Sequence, residues 1–160
     1  MNFTSFFDYG SGTGGDAATD LVFLGNATTA DWQQLLTVAE RRRFAIGDTL
    51  VTEGERTRAF YIVAEGELEV IANWGGGPTR RVSVISKNSI FGEQAFFDSQ
   101  PRSATVKALQ PGELYGISPD AFEVLAGRSP ELARVVLLDL GRILSLRLRG
   151  LTGMLSQPTR

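Results

Sequence analysis

Between Phe91 and Ala108 the chain reads FGEQAFFDSQPRSATVKA, a segment that supplies the parts for holding a small anionic ribosyl ligand. Gly92 has no Cβ, so backbone there can approach a ligand closely. The residues after it can form a short turn of helix whose free N–H groups point at an anion. Arg102 adds a permanently charged planar fork suited to two phosphate oxygens, and Ser103 beside it offers a hydroxyl donor. Glu93 fits a different role. Its carboxylate repels an anion but accepts hydrogen bonds, so its partner should be a sugar hydroxyl next to the phosphate.

A Gly-Glu or an Arg-Ser pair is common on surfaces, and neither carries weight singly. The whole string resembles the phosphate-binding cassette of the cyclic nucleotide-binding domain family, as found in bacterial catabolite activator proteins and in regulatory subunits of protein kinase A. That pattern is Phe-Gly-Glu, an aliphatic residue, a small residue, a variable loop, then Arg, a small or hydroxyl residue, and Ala. Here it reads Phe91-Gly92-Glu93, Gln94, Ala95, the loop, then Arg102-Ser103-Ala104. Gln94 departs from the usual Leu, Ile or Met, a change expected to touch local packing more than ligand chemistry. Turns at Ile46-Gly47-Asp48 and Glu53-Gly54-Glu55, and Tyr61-Ile62-Val63 followed by Gly66 as a central hairpin, continue the resemblance in order and spacing. Asn88 stands where the family usually has glycine, and Asn is the next-best residue for a left-handed conformation. The resemblance implies a cAMP receptor or, second, a cGMP receptor, with the cyclic nucleotide as regulatory ligand and no metal.

The elements that must position these residues are visible as changes of period. Residues 1–20 are rich in Gly, Ser and Thr with interspersed Phe and Tyr, and read as a flexible arm whose aromatics are available to the domain or to a protein partner. From Thr28 or Thr29 as N-cap, a helix pattern runs through Trp32, Leu35, Leu36 and Ala39 to Arg41-Arg42-Arg43, whose charges suit a helix C-terminus. A two-residue period follows. Glu67 to Val70 and Arg81 to Val84 alternate polar and apolar, which puts Val82 and Val84 on the buried face and Arg81 and Ser83 on the other. Gly75-Gly76-Gly77-Pro78 forms the loop between them. Further runs at Thr49 to Thr52, Phe60 to Val63, Ala104 to Leu109 and Glu113 to Ile117 complete the pattern of an antiparallel jelly roll. The fold class is mainly β with flanking helices. The domain is residues 21–160, with the β-roll about 43–118 and the C-terminal helices about 119–155.

Past Ser118-Pro119 a short helix carries Phe122 and Leu125, and past Ser129-Pro130 a long one ends near Leu155, with Pro130 at a first helical position. Its residues Leu132, Val136, Leu140, Ile143, Leu144, Leu148, Leu151 and Leu155 form an arc wider than the ~100° stripe that packs on one surface. Either one broad contact with the roll or two partners, the roll and the same helix of a second copy, would use it. Bacterial members of the family dimerise in the latter way. Arg147 falls inside this arc, where a charge must be paired or must snorkel. It either turns to water or a carboxylate, or reaches the ligand or Glu93. An ungapped alignment from the cassette puts Arg147-Leu148 where catabolite activator proteins have the Thr-Ser pair that meets adenine.

Composition sets the outer limits. With 160 residues, 42% of them hydrophobic, the chain reads as one domain. It has no Cys, hence no disulfide or thiolate chemistry, and no His, which closes the imidazole-dependent metalloenzyme route open to other β-rolls. No nucleophile with a base beside it is found, so no enzyme is expected. The absence of Lys and Arg before Arg41 and of long apolar runs argues against a secretory signal or membrane span, and a cytoplasmic location is expected. A formal net charge of −2 offers no reason to expect nucleic acid. Only Ser156 to Arg160 follow the long helix, so no helix-turn-helix is expected. A module that keeps the fold as a structural or docking subunit is the alternative to a sensor.

Overall fold

The structure, a computed structural model, describes residues 7–8, 21–73 and 76–155. In chain order the elements are β1 (Phe7–Asp8), α1 (Thr29–Leu36), β2 (Glu40–Phe44), β3 (Thr49–Val51), β4 (Phe60–Ala72), β5 (Arg80–Ile85), β6 (Ile90–Phe91), α2 (Glu93–Asp98), β7 (Thr105–Ile117), α3 (Pro119–Arg128) and α4 (Pro130–Leu155). The strands form a sheet ordered β1-β5-β4-β7-β2, with β3 on β7 and β6 on β4. All pairings are antiparallel except that of β1 with β5. The expected antiparallel roll with flanking helices is therefore the fold. Of the expected arm, Phe7–Asp8 lies beside Ser83 and Val84, and the rest falls outside the described residues.

Two strands of 13 residues, β4 and β7, carry the architecture, where the sequence pattern had suggested four short runs and a hairpin at Gly66. They pair from Phe60↔Ile117 to Ile71↔Thr105, with register shifts between Val63 and Leu68. At that point the backbones nearly touch. A Cβ on Gly112 would lie 2.0 Å from the Glu65 carbonyl oxygen, and one on Gly66 would lie 2.8 Å from that of Pro111. Only glycine fits there, and the bulges let the strand pair bend while staying paired. The bend divides β4 between two cores. Phe60 and Ile62 join the helical cluster with Phe23, Leu35, Ile90, Phe122 and Val136, while Val63, Leu68, Val70 and Ala72 fill the roll with Val51, Val82, Ile85 and Val106.

The first helix is shorter than its pattern. Thr28 and Asp31 close a capping box at its start, but it ends at Leu36, and Arg41, Arg42 and Arg43 belong to β2. Tertiary pairing overrides propensity here. An E-R-R-R run has no apolar period to continue a helix, whereas β7 offers it a full ladder and a carboxylate, Glu113, between Arg41 and Arg43. The exposed arginines also blunt what is otherwise an open sheet edge.

At the other end, Ser118 caps α3 through the Ala121 N–H, and Pro130 opens the 26-residue α4. Leu132, Val136, Leu140 and Ile143 of α4 are buried over the helical cluster. The arc is not fully covered: Leu148 and, beside it, Leu137 are exposed and Leu144 is half-buried. The side chains of Leu151 and Leu155 lie outside the described part of the structure.

Candidate functional site

Strand β6 leads into Gly92, whose φ of 83° and ψ of 4° turn the chain into the six-residue α2. Left-handed backbone is one reason for glycine there, and crowding is the other. A Cβ would lie 2.7 Å from Arg102 Nη1 and 2.8 Å from the Ala59 carbonyl oxygen. Asn88, with φ of 68°, takes the left-handed position expected of it just upstream.

Arg102 is 4% exposed and is gripped from three sides. Its Nε donates to Thr57 Oγ1 at 3.1 Å, Nη1 to the Gly92 carbonyl at 3.1 Å and Nη2 to the Ala59 carbonyl at 2.8 Å. The guanidinium carbon stands 5.6 Å from the centroid of the Tyr61 ring, which stacks on Phe91. Burial lowers the Arg102 pKa from its ordinary value, opposed by Tyr61, Glu55 and Glu93, yet an arginine remains a cation at any physiological pH. Every direct partner is neutral, so the site holds one oriented positive charge without an ion pair among the described residues. Each terminal nitrogen retains a second N–H beyond these bonds.

Glu93, also 4% exposed, has a different environment. Arg147 reaches across from α4 and donates through Nη1 to Glu93 Oε1 at 2.5 Å and through Nη2 to the Ile90 carbonyl at 2.6 Å. Arg147 therefore stays buried, 8% exposed, and ties the long helix to the cassette and to the strand before it.

Between these groups lies a cavity of about 540 Å³. All ten residues singled out from the sequence line it: Phe91, Gly92, Glu93, Gln94, Ala95, Arg102, Ser103, Ala104, Arg147 and Leu148. Its size lies within the range of small-molecule sites, roughly 300–1,000 Å³. The cassette contributes polar groups at one side, and valines of the roll close the other.

A profile of the cyclic nucleotide-binding domain matches residues 41–129, more than half of the 160-residue chain. The chain belongs to the cyclic nucleotide-binding domain family. The cyclic AMP receptor protein of Thermus thermophilus is 28% identical over 114 residues, which cover 71% of this chain and 51% of that protein. The cGMP-dependent protein kinase of Plasmodium berghei is 30% identical over 98 residues, covering 59% of this chain and 11% of the kinase. The crystal structure of the Thermus thermophilus catabolite activator protein gives a TM-score of 0.73 at 27% identity, over 84% of this chain and 61% of that one. This chain thus spans about half or less of the curated relatives' length.

Within the family pattern, Gln94 behaves differently from the expected packing change. It is exposed at the cavity, and its Oε1 accepts from Ser103 Oγ at 2.8 Å, so the departure bears on the site's polar groups rather than on the core. Two further residues escape a sequence reading. Thr57 orients Arg102, although it sits 45 residues away with no motif around it. Ser83 is buried and lines the cavity, contrary to the simple alternation of β5. The cause is a bulge in β5 itself: Val70 and Ile71 are consecutive on the neighbouring strand but pair with Ser83 and Arg81, so Val82 is the extra residue, and both Val82 and Ser83 sit inward. Among the described residues no cluster of His, Cys, Asp or Glu could hold a metal ion, and no helix is long and apolar enough to cross a membrane.

Proposed function

We propose that the chain is a cyclic nucleotide sensor, taking cAMP in preference to cGMP, whose occupancy is transmitted through α4. The observation that carries this reading is the pairing of an uncompensated, oriented guanidinium at Arg102 with the Gly92 turn on one wall of a 540 Å³ cavity. A cyclic phosphate would take the remaining Arg102 N–H groups, the first N–H groups of α2 and the Ser103 hydroxyl. Its ribose hydroxyl would share Glu93 with Arg147, and Leu148 would cover the base. No catalytic step is assigned, and the ligand acts as effector rather than substrate. Isothermal titration calorimetry with cAMP and cGMP tests this. Saturable one-site binding with the tighter constant for cAMP is expected, and no heat with either ligand would leave the fold as a docking module.

Ligand and helix are coupled in this reading because they meet at one carboxylate. A nucleotide that changes the strength of the Arg147–Glu93 contact necessarily changes the docking of α4, and by the same factor α4 changes the affinity for nucleotide. The margin of α4 that carries the exposed Leu137 and Leu148 and the half-buried Leu144 is the surface through which we propose a homodimer. Replacing Leu137 and Leu144 with Glu should give a monomer in sedimentation at micromolar concentration where the wild type is a dimer. A wild-type monomer under those conditions removes the dimer from the account and leaves nucleotide binding untouched.

A further inference from the structure

Within the cassette the chain departs from the family pattern only at Gln94, where an amide stands in place of an aliphatic side chain. The amide is engaged. Its Oε1 accepts from Ser103 Oγ at 2.8 Å, closing the loop between α2 and Arg102 although the two residues are nine positions apart. Next to this bridge Arg102 Nη1 donates to the Gly92 carbonyl at 3.1 Å, so the amide, the hydroxyl and the guanidinium gather where α2 begins, and all three residues line the cavity. Gln94 is exposed there, and among the described residues the bridge is its only side-chain hydrogen bond. Both N–H donors of its Nε2 are therefore left for a ligand, which no leucine, isoleucine or methionine could offer.

We infer that Gln94 is a phosphate-reading residue whose amide donates one N–H to Ser103 and the other to a single exocyclic oxygen of the cyclic phosphate. This rests on the proposed cyclic nucleotide function and adds to it a contact that the family's aliphatic residue cannot make. Counting protons leads to it. A serine hydroxyl has one proton, and in the structure that proton goes to Gln94 Oε1, so the same hydroxyl cannot also donate to a phosphate. The amide removes the conflict, because χ3 of glutamine is a broad, roughly two-fold torsion and a half-turn exchanges Oε1 for Nε2. Nε2 then donates to Ser103 Oγ, the hydroxyl proton turns to the phosphate, and the second N–H of Nε2 meets a phosphate oxygen as well. The bridge persists with its direction reversed. Gln94 comes from α2 and Arg102 from the segment before β7, so the two side chains address different exocyclic oxygens.

The test titrates wild type, Gln94→Leu and Gln94→Glu by calorimetry with cAMP and with the two diastereomers of its phosphorothioate, in which sulfur replaces one exocyclic oxygen or the other. Gln94→Leu loses a hydrogen bond to a charged group and should bind cAMP about tenfold more weakly. Gln94→Glu keeps an acceptor for Ser103, so the bridge survives, but it has no donor to turn toward the phosphate and sets a carboxylate beside it. It should bind cAMP about a hundredfold more weakly. Sulfur is a poor acceptor, so Gln94→Leu should change the affinity of one diastereomer less than twofold and weaken the other about tenfold. A residue that merely holds Ser103 in place would affect both diastereomers alike. Equal effects on the two, tighter cAMP binding by Gln94→Leu, or Gln94→Glu binding cAMP no more weakly than Gln94→Leu each overturn the assignment while leaving the sensor reading standing. Failure of the wild type to bind cAMP overturns the sensor reading itself, and the role of Gln94 with it.

Discussion

Two arginines are buried near one cavity, and their surroundings differ in the one respect that matters for a ligand. Arg147 of α4 meets a carboxylate, so its charge is compensated within the protein. Arg102 meets two carbonyls and a hydroxyl, which orient the guanidinium but leave its charge uncancelled. A buried cation held by neutral groups is stable only if its environment is strongly polar or if an anion completes it. The contrast supports separate roles: in the proposed function Arg102 holds the phosphate, while Arg147 fastens the helix to the cassette. Residue type alone would treat them as equivalent.

The comparison can be broken most severely at α4. Arg147→Ala leaves Glu93 buried without its cation, and a loss of about 3–5 kcal/mol in chemical denaturation is expected. Removing both charges together, as Arg147→Met with Glu93→Gln, should restore most of that stability, since no unpaired ion remains. If the double variant is no better than the single one, the pair is not the fastening described here.

At Arg102 the expected loss falls first on ligand. Arg102→Ala should weaken cAMP binding by roughly 2–5 kcal/mol, the range for deleting one partner of a desolvated charge pair. Stability should also fall, by about 1–3 kcal/mol, because the Gly92 and Ala59 carbonyls lose their donor. From sequence alone this residue reads as a ligand fork with little structural role, and a stability change near zero would follow. A stable variant that binds cAMP as well as wild type contradicts the phosphate assignment.

The smallest effect sharpens the comparison by showing an ordinary surface pair. Arg41 and Arg43 flank Glu113, and the Arg41 hydrogen bond, helped by the Tyr115 hydroxyl, lowers the Glu113 pKa from its ordinary 4.5 to about 2. Protonation therefore favours the unfolded chain. The contribution is complete above pH ~4.5 and is lost as pH falls from there toward about 2. Following the denaturation midpoint over this window, Glu113→Gln should lie below wild type above pH ~4.5 and converge with it in acid. Parallel curves would mean that the cluster does not influence folding.

What was legible in the chain was whatever local backbone chemistry dictates. A glycine forced left-handed at the start of α2, Asn88 in the same conformation, and proline and serine at the starts of α3 and α4 all act within a few residues, so the sequence displays them. The cassette falls in this class, and eight of its lining residues, Phe91 to Ala95 and Arg102 to Ala104, could be named by position. Features made by distant partners were not legible. Arg41 to Arg43 become a strand because β7 lies beside them. The four short runs fuse into β4 and β7 because bulges at Gly66 and Gly112 interrupt the alternation without ending the pairing. Ser83 faces inward because its own strand bulges at Val82. The Arg147–Glu93 bond was open to two readings until the helix and the cassette were seen together.

The division of labour between the two arginines is tested most directly at the phosphorus atom itself. The ³¹P resonance of bound cAMP, recorded at saturation, should move in Arg102→Lys, because a point charge replaces the planar fork. In Arg147→Lys it should keep its wild-type position. A resonance that moves only in Arg147→Lys, or in neither variant, would contradict the account.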